Sequence, residues 1–262
     1  MIRVRLLGTG PSQGVPGLGG PGEGGDWGVC DPTNPRNRRT RTSALIEAAD
    51  GTRLLIDAGP DLRAQLLAAR VGRLDAVLIT HAHADHVMGL DELRAVNRLT
   101  GKALPLFALP ETLEELRARF GYAFLPPTPG FYRPALVAQE VAPGEELRLG
   151  GISARLLELD HRVMRVLGLR IGPFAYCTDV VALPEETMAA LAGISCWVVG
   201  CFGLSPHPVH AHLDLVLQWA RQIGARRTIL THMSNALDEA ALRARLPPGV
   251  EPGHDGMEIR LG

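Results

Sequence analysis

The chain has 262 residues, of which 46% are hydrophobic and 21% are charged, and its formal net charge is −1. This balance is typical of an ordinary globular protein, and the length is enough to bury a large core. We therefore expect a single domain over residues 1–262. A net charge so close to zero gives no support for nonspecific nucleic-acid binding by the whole molecule, although a local basic patch stays open.

The sequence also bears on location. No apolar run approaches the ~20 residues that a membrane-spanning helix needs. The first seven residues, MIRVRLL, lack the long apolar stretch and the cleavage site of a signal peptide. The four cysteines form no CxxC pair and are expected to be free thiols; they are Cys30, Cys177, Cys196 and Cys201. We expect a cytoplasmic protein with no membrane partner.

The first half of the chain alternates predicted strands with predicted helices. Residues 2–7 are typical of a strand, and residues 11–40, rich in glycine and proline, are typical of a long functional loop. The further strands are expected at 43–48, 53–57, 76–80 and 104–109, and the helices at 60–71, 87–99 and 110–120. Residues 121–135, with several prolines, predict a second functional loop.

The second half repeats this organisation. Strands are expected at 136–140, 145–149, 152–159, 163–171, 174–178, 196–200, 227–231 and 257–261, and helices at 184–191, 211–223 and 237–246. A strand-rich stretch followed by strand–helix units therefore occurs twice. This order predicts two sheets packed face to face with helices on the outside.

The segment LITHAHADH, residues 78–86, carries the chemistry. Three histidines and a carboxylate follow within six residues of a buried apolar strand: His81, His83, Asp85 and His86. Such a cluster is unfavourable in a protein interior unless a cation binds to it. Neutral imidazole and carboxylate are favoured ligands of zinc, manganese and iron, so the segment predicts a metal site.

This HxHxDH pattern is the signature of the metallo-β-lactamase superfamily, which the chain resembles over nearly its whole length. The resemblance implies an α/β fold with four αββα layers. It also implies roles for four residues that come just after apolar strands. These are Asp57, which would orient ligand histidines, and His161, Asp179 and His232, which would bind metal.

The resemblance further implies two divalent metal ions per chain. One ion would take His81, His83, His161 and Asp179, and the other would take Asp85, His86, Asp179 and His232. Taken alone, any one of these residues could be a hydrogen-bonded structural residue, but the complete ordered set favours ligands. Because the set contains no thiolate, zinc, manganese and iron all remain open.

Two further segments resemble one branch of the superfamily. GTGPSQGVP, residues 8–16, is similar to the opening of the branch that holds tRNA 3′-processing nucleases and cyclic phosphodiesterases. In PHPVHAHLD, residues 206–214, His210 aligns best with a histidine specific to phosphodiesterases, and His212 is the second candidate. Such a histidine can donate a proton to a leaving oxygen. The alternative is an exposed histidine at a helix start.

The fullest resemblance is to the PhnP-like phosphoribosyl 1,2-cyclic phosphate phosphodiesterases, and it includes Arg41–Ala44, Ile56–Gly59 and Thr231–Met233. That family has a cysteine cluster in the first long loop, which holds a structural zinc together with a histidine. Here the loop offers only Cys30, and Asn235 stands where the histidine would be. We therefore expect the structural zinc to be absent.

The first loop carries a basic stretch, NPRNRRTR, at residues 34–41. We expect Arg36, Arg38 and Arg39 to bind a substrate phosphate, because guanidinium groups pair bidentately with phosphate oxygens. A solvated basic loop is an equally weighted alternative. Trp27 could stack on a base or a ribose, or it could anchor the loop.

These features predict a dinuclear metal-dependent hydrolase, a phosphodiesterase for a small cyclic or nucleotide-like substrate, with His210 and Asp85 as catalytic residues. Its partner would be a small phosphorylated molecule, and the resemblance alone indicates a homodimer. Three alternatives remain: hydrolysis of a thioester or lactam, cleavage of tRNA 3′ ends, and non-catalytic cofactor binding, as in superfamily members that assist pyrroloquinoline quinone biosynthesis. The sequence shows no inserted basic arm of the kind that grips tRNA.

Overall fold

The computed structural model of the protein describes residues 1–261. Its strands, numbered in chain order, are β1 (Ile2–Gly8), β2 (Ser43–Ala48), β3 (Arg53–Ile56), β4 (Ala76–Leu78), β5 (Leu104–Ala108), β6 (Leu136–Glu140), β7 (Glu146–Leu149), β8 (Ile152–Asp160), β9 (Arg165–Ile171), β10 (Phe174–Cys177), β11 (Cys196–Gly200), β12 (Arg227–Thr231), β13 (Val250–Pro252) and β14 (Glu258–Leu261). Its α-helices are α1 (Leu62–Ala69), α2 (Ala84–Val87), α3 (Leu93–Thr100), α4 (Pro110–Phe120), α5 (Glu185–Leu191), α6 (Leu213–Ile223) and α7 (Glu239–Arg245).

Over these residues the strands form two mixed sheets of seven strands each. The first sheet has the order β14-β1-β2-β3-β4-β5-β6, and the second has the order β13-β12-β11-β10-β9-β8-β7. Strands β3 to β6 run parallel to one another, and so do β10 to β13. Within the part of the chain that is described, no helix is both long and apolar enough to cross a membrane.

The apolar side chains form three layers of core. The central layer contains buried residues from both sheets, such as Ile46 and Ile56 from the first and Leu156 and Val198 from the second. Because side chains alternate between the two faces of a strand, the neighbouring positions face outward and pack against helices. On the first sheet those helices are α1 to α4, and on the second they are α5 to α7. The predicted αββα arrangement is confirmed.

The structure corrects the predicted helix over residues 87–99. The chain instead forms α2, a 3-10 turn over Leu90–Glu92 and then α3. The break follows Gly89, whose N–H donates to the carbonyl of Ala58 at 2.8 Å. A Cβ at Gly89 would lie 1.9 Å from the Gly59 carbonyl oxygen, so this close contact between two backbones requires glycine. Strand β13, a short strand that ends in proline, was not predicted.

One edge of each sheet collects the ends of the parallel strands. The chain leaves β3 at Asp57, β4 just before Thr80 and His81, β10 just before Asp179, and β12 at His232. Because parallel strands of one sheet end at the same edge, polar residues from distant parts of the chain meet there. The fold therefore places the candidate metal-binding residues on one rim.

The first long loop is tied to this rim through the carboxylate of Asp255. One carboxylate oxygen accepts from the Thr9 N–H and hydroxyl at 2.9 and 2.8 Å. The other accepts from the Thr40 N–H and hydroxyl at 2.8 and 2.7 Å. The Thr9 carbonyl in turn accepts from the Met233 N–H at 2.9 Å, next to His232. A single carboxylate thus joins the end of β1, the first loop and the rim.

We expect Asp255→Ala to lower the free energy of unfolding by about 2–4 kcal/mol, because four partly buried donors lose their acceptor. Urea unfolding followed by circular dichroism measures this loss. Glu114→Ala, on the exposed face of α4, is the control and should leave the midpoint unchanged. Equal midpoints for the two variants would show that the Asp255 carboxylate does not hold the loop.

Candidate metal centre

The rim brings histidine nitrogens and carboxylate oxygens together in four overlapping groups. Within each group the donor atoms lie within 4.8 Å of one another. The groups are His81, His83 and His161; His81, His86 and Asp179; Asp85, His86 and His232; and His161, Asp179 and His210. All seven predicted ligands and the predicted catalytic His210 therefore lie in one cluster, although they come from residues 81 to 232.

The cluster has two halves that share Asp179. In the first half, His81 Nε2 lies 3.1 Å from His83 Nδ1, and the ring of His161 is 5.1 Å from that of His83. In the second half, Asp179 Oδ2 lies 3.2 Å from His86 Nε2, and Asp179 Oδ1 lies 3.2 Å from His232 Nε2. A carboxylate in this position can bridge two cations.

Four of the histidines are oriented through the Nδ1 atom of the ring. The His86 Nδ1–H donates to Asp57 Oδ2 at 2.7 Å, and the His161 Nδ1–H donates to the Val209 carbonyl at 2.6 Å. Both partners are acceptors, which leaves the lone pair of each ring on Nε2. The arrangement that positions a ligand histidine is therefore present, and Asp57 takes the position that the sequence predicts.

Two threonine hydroxyls orient the other two rings in the same way. Thr80 donates its hydroxyl proton to Asp57 and lies 3.0 Å from His81 Nδ1. Thr42 donates its hydroxyl proton to the Gly10 carbonyl and lies 3.1 Å from His232 Nδ1. Each hydroxyl is thus left as an acceptor for a ring N–H. Sequence reasoning gave these threonines no role, although both lie within segments that it singled out, residues 78–86 and Arg41–Ala44.

Two of the residues on the rim have left-handed backbone conformations. Asp57 has φ 61° and His232 has φ 55°. Such a conformation costs a non-glycine residue about 1–3 kcal/mol and persists only where the surroundings hold it. The side chains of both residues have partners here: Asp57 accepts from the Thr80 N–H and hydroxyl, and His232 Nδ1 lies 3.1 Å from the Thr42 hydroxyl.

The buried carboxylates of the cluster favour a positive charge among them. Burial alone would lower the pKa of His86, but the carboxylates of Asp179, Asp57 and Asp85 raise that pKa well above its usual value. Yet His86 Nε2 lies 3.2 Å from carboxylate oxygens of both Asp85 and Asp179 without good hydrogen-bond geometry to either. The residues therefore fit divalent metal ions between these atoms better than a direct ion pair.

Burial has the opposite effect on the surrounding rings. It lowers the pKa of His81 well below the usual value and lowers those of His83 and His232 as well. These rings are therefore neutral at neutral pH, which is the form that binds metal. Nitrogen and carboxylate oxygen donors suit zinc, manganese and iron.

His210 lies over the shared part of the cluster. Its Nδ1 is 3.7 Å from Asp179 Oδ1, and its ring lies 4.7 Å from that of His161 and 5.0 Å from that of His232. Burial lowers its pKa to about 3, so the ring is neutral at neutral pH and offers an N–H hydrogen bond rather than an imidazolium proton. His212 caps α6 and belongs to none of the four donor groups found within residues 1–261.

The structure corrects the prediction that Arg39 binds substrate. Its side chain is buried, with 2% exposure, and its guanidinium donates to the carbonyls of Ser234 at 2.9 Å and Leu237 at 2.6 Å. A third hydrogen bond runs to Asn37 Oδ1 at 3.2 Å, and the Cys30 thiol lies alongside. Arg39 therefore fastens the first loop to the segment that follows His232.

The other two arginines that were expected to bind a substrate phosphate are exposed. Arg36 pairs with the buried Glu239 at 3.3 Å, and Arg38 lies over the ring of Trp27 at 5.0 Å. Their role toward a substrate stays a prediction. Arg119, which the sequence did not single out, donates to the carbonyl of Ala82, the residue between His81 and His83.

Comparison with known proteins identifies the class. A sequence model described as "Beta-lactamase superfamily domain" matches residues 52–233. The chain therefore belongs to the β-lactamase superfamily, and it has the metallo-β-lactamase fold. A solved structure described as a new diphosphatase from the PhnP family has 31% sequence identity and a TM-score of 0.89, and the match covers 100% of this chain and 98% of that one. Within the superfamily, the chain belongs to this PhnP-like branch of metal-dependent hydrolases.

Two curated relatives are also similar over the whole chain. A protein of Porphyromonas gingivalis (strain ATCC BAA-308 / W83) named octanoyltransferase is 36% identical over 263 residues, which cover 98% of this chain and 51% of that protein. The chain thus spans about half the length of this relative. A ribonuclease Z of Mycobacterium sp. (strain KMS) is 27% identical over 298 residues, which cover 100% of this chain and 96% of that protein.

We expect Asp57→Ala to weaken metal binding by about 10–100-fold, because His86 loses the acceptor that orients it. Competition between the protein and a chromogenic chelator measures the affinity. Asp214→Ala, an exposed residue in the first turn of α6, is the control and should bind metal normally. Equal affinities for both variants would show that His86 does not depend on Asp57.

We expect Arg39→Met to lower the free energy of unfolding by about 2–4 kcal/mol, because buried carbonyls lose their donors. Denaturant unfolding measures the change. The matched control is Arg38→Met. It removes an exposed guanidinium that does not bond to these carbonyls, so it should alter stability little. If Arg39 bound substrate and did not stabilise the contact between the first loop and the segment after His232, its substitution would leave stability unchanged.

Proposed function

We propose that this protein hydrolyses a small phosphodiester, cyclic or nucleotide-like, and that two divalent metal ions are its cofactors. The observation that carries the proposal is the place of His210, which lies beside the shared carboxylate of Asp179 and near ligand histidines of both halves of the cluster. A donor beside these residues is suited to hydrogen-bond the leaving oxygen of a substrate that binds at the cluster. The similarity to the PhnP-family diphosphatase supports chemistry at phosphorus.

When bound, two divalent cations would activate water at neutral pH and polarise a phosphoryl oxygen. The residues that would hold them are the predicted ligand histidines together with Asp85 and Asp179. Asp57 and the hydroxyls of Thr80 and Thr42 keep the rings aimed inward. Such prior orientation avoids rearrangement during the reaction.

The chain then supplies a hydrogen-bond donor for the departing oxygen. The oxygen of water bonds to phosphorus, the P–O bond to the leaving group breaks, and negative charge develops on the leaving oxygen, to which the N–H of His210 hydrogen-bonds. The leaving group departs as an alcohol, with a proton released by the attacking water. A neutral ring keeps this N–H at neutral pH. The leaving group therefore gains a fixed dipole that does not need to reorient.

A diphosphate ester is the second candidate substrate. The neighbour of 31% identity is described as a diphosphatase. The same donor set serves that reaction, with a phosphate instead of a sugar oxygen as the leaving group. Thioesters, lactams and tRNA 3′ ends are included as alternative substrates in the test below. The tRNA is included because a ribonuclease Z is 27% identical over the full chain.

The test combines metal analysis with a substrate panel. We expect about two ions per chain by mass spectrometry, as in hydrolases with adjacent metal sites. The panel contains cyclic and linear phosphodiesters, diphosphate esters, a glutathione thioester, a chromogenic β-lactam and a precursor tRNA. Turnover confined to phosphodiesters supports the proposal, and turnover confined to any other class contradicts it.

We expect His83→Ala to abolish turnover, because the first half of the cluster loses a ligand. The control is His254→Ala, which removes a half-buried histidine outside the four donor groups of the described residues. It should retain both metal and activity. A His83→Ala protein that turns over substrate without metal would refute the mechanism.

A further inference from the structure

The loop that carries His210 forms no hydrogen bond to the His210 ring. This loop, residues 203–212, is closed at its base by a bridge between Gly203 and His212. His210 Nδ1 is buried and has no hydrogen-bond partner within the described residues, and the nearest carboxylate oxygen, on Asp179, is 3.7 Å away. The four histidines oriented through Nδ1 are held differently, since each has a bonded partner. The orientation of His210 must therefore come from packing.

The ring of Phe202 supplies that packing. It is stacked on the His210 ring, with centroids 5.0 Å apart and an angle of 13° between the planes. Parallel stacking at this distance is a favourable contact of aromatic rings. The ring of His207 lies 4.7 Å from Phe202 and 5.1 Å from His210, and so closes another side.

The backbone of Phe202 is fixed at both ends. Its N–H donates to the carbonyl of Ala211, the residue after His210, at 2.9 Å. Its carbonyl accepts from the N–H of Ser234, two residues after His232, at 3.1 Å. The stacked ring thus stands on a support that is shared by the His210 loop and by the metal cluster.

We propose that Phe202 positions His210, holding its N–H toward the bond that is broken. This inference rests on the proposed function for its kinetic consequence. The Phe202 ring stacks on His210 and contacts His207, and neither contact involves one of the seven predicted metal ligands. Without the phenyl ring, the imidazole gains space to turn away from the rim, and only the backbone of the loop remains fixed.

The kinetic test uses aryl methyl phosphodiesters whose leaving groups differ in pKa. A good leaving group needs little help from a donor, whereas a poor one needs much. We expect Phe202→Ala to slow the poorest leaving group by about 10-fold or more, a loss typical of a misplaced group, and the best one far less. His210→Ala should likewise make the rate depend more steeply on the pKa of the leaving group than it does in the wild-type protein.

A double-mutant cycle separates positioning from general damage. In the His210→Ala background, Phe202→Ala should cause no further loss, because the residue through which it acts is gone. The control is Leu204→Ala, which removes a side chain from the same loop that is 40% exposed. It should leave the leaving-group dependence unchanged. Phe202→Leu, which retains bulk, should fold and bind metal normally.

A structural readout decides the inference even if no phosphodiester is a substrate. In a crystal structure of Phe202→Ala, we expect His210 in a different rotamer or in several, while the loop backbone is retained. An unchanged orientation of the His210 ring would overturn the inference. It would also be overturned if Phe202→Ala lowered the rate equally for all leaving groups and lowered it further in the His210→Ala background. Absence of turnover by the wild-type protein would instead refute the proposed function alone.

Discussion

The structure depends on three carboxylates, those of Asp57, Asp85 and Asp179, that surround one buried imidazole where the strands of both sheets end. Buried charge of one sign is unfavourable without a counter-charge. The raised pKa of His86 has the same cause, because the carboxylates favour positive charge among them. Divalent cations meet the same demand, so metal binding and the stability of this rim are coupled.

The rim is held in shape from outside by polar side chains and one backbone carbonyl. The Asp57 carboxylate, two threonine hydroxyls and the Val209 carbonyl fix the Nδ1 side of four ligand rings, which aims their Nε2 atoms inward. Asp255 and Arg39 then fasten the first long loop to the segment around His232. These contacts explain why a long glycine-rich loop lies ordered beside a metal centre.

The metal centre and the surrounding loops serve different purposes. The donor set of histidine nitrogens and carboxylate oxygens suits divalent metal ions. The His210 loop and the exposed arginines of the first loop lie around this common centre. Under the proposed function these parts of the molecule would distinguish the substrate, since the metal donors alone do not select one ester over another.

The sequence by itself determined the αββα fold and nominated the metal donors. Short continuous apolar runs predict strands whose two faces are both buried, and residues that follow such runs lie at a sheet edge. The arginine-rich segment shows the limit of this reasoning. Arg36, Arg38 and Arg39 look equivalent in sequence, but only Arg39 is buried against carbonyls about 200 residues away in the chain, near Ser234 and Leu237.

Only the tertiary structure decided such long-range contacts. The break at Gly89 depends on the backbone of Gly59, and the acceptor roles of Thr42 and Thr80 depend on what else each hydroxyl bonds. The stacking of Phe202 on His210 likewise joins residues whose spacing carries no periodic signal. Local pattern reports which face of an element is apolar. It contains no information on which distant group satisfies a given donor, because that depends on packing of the whole chain.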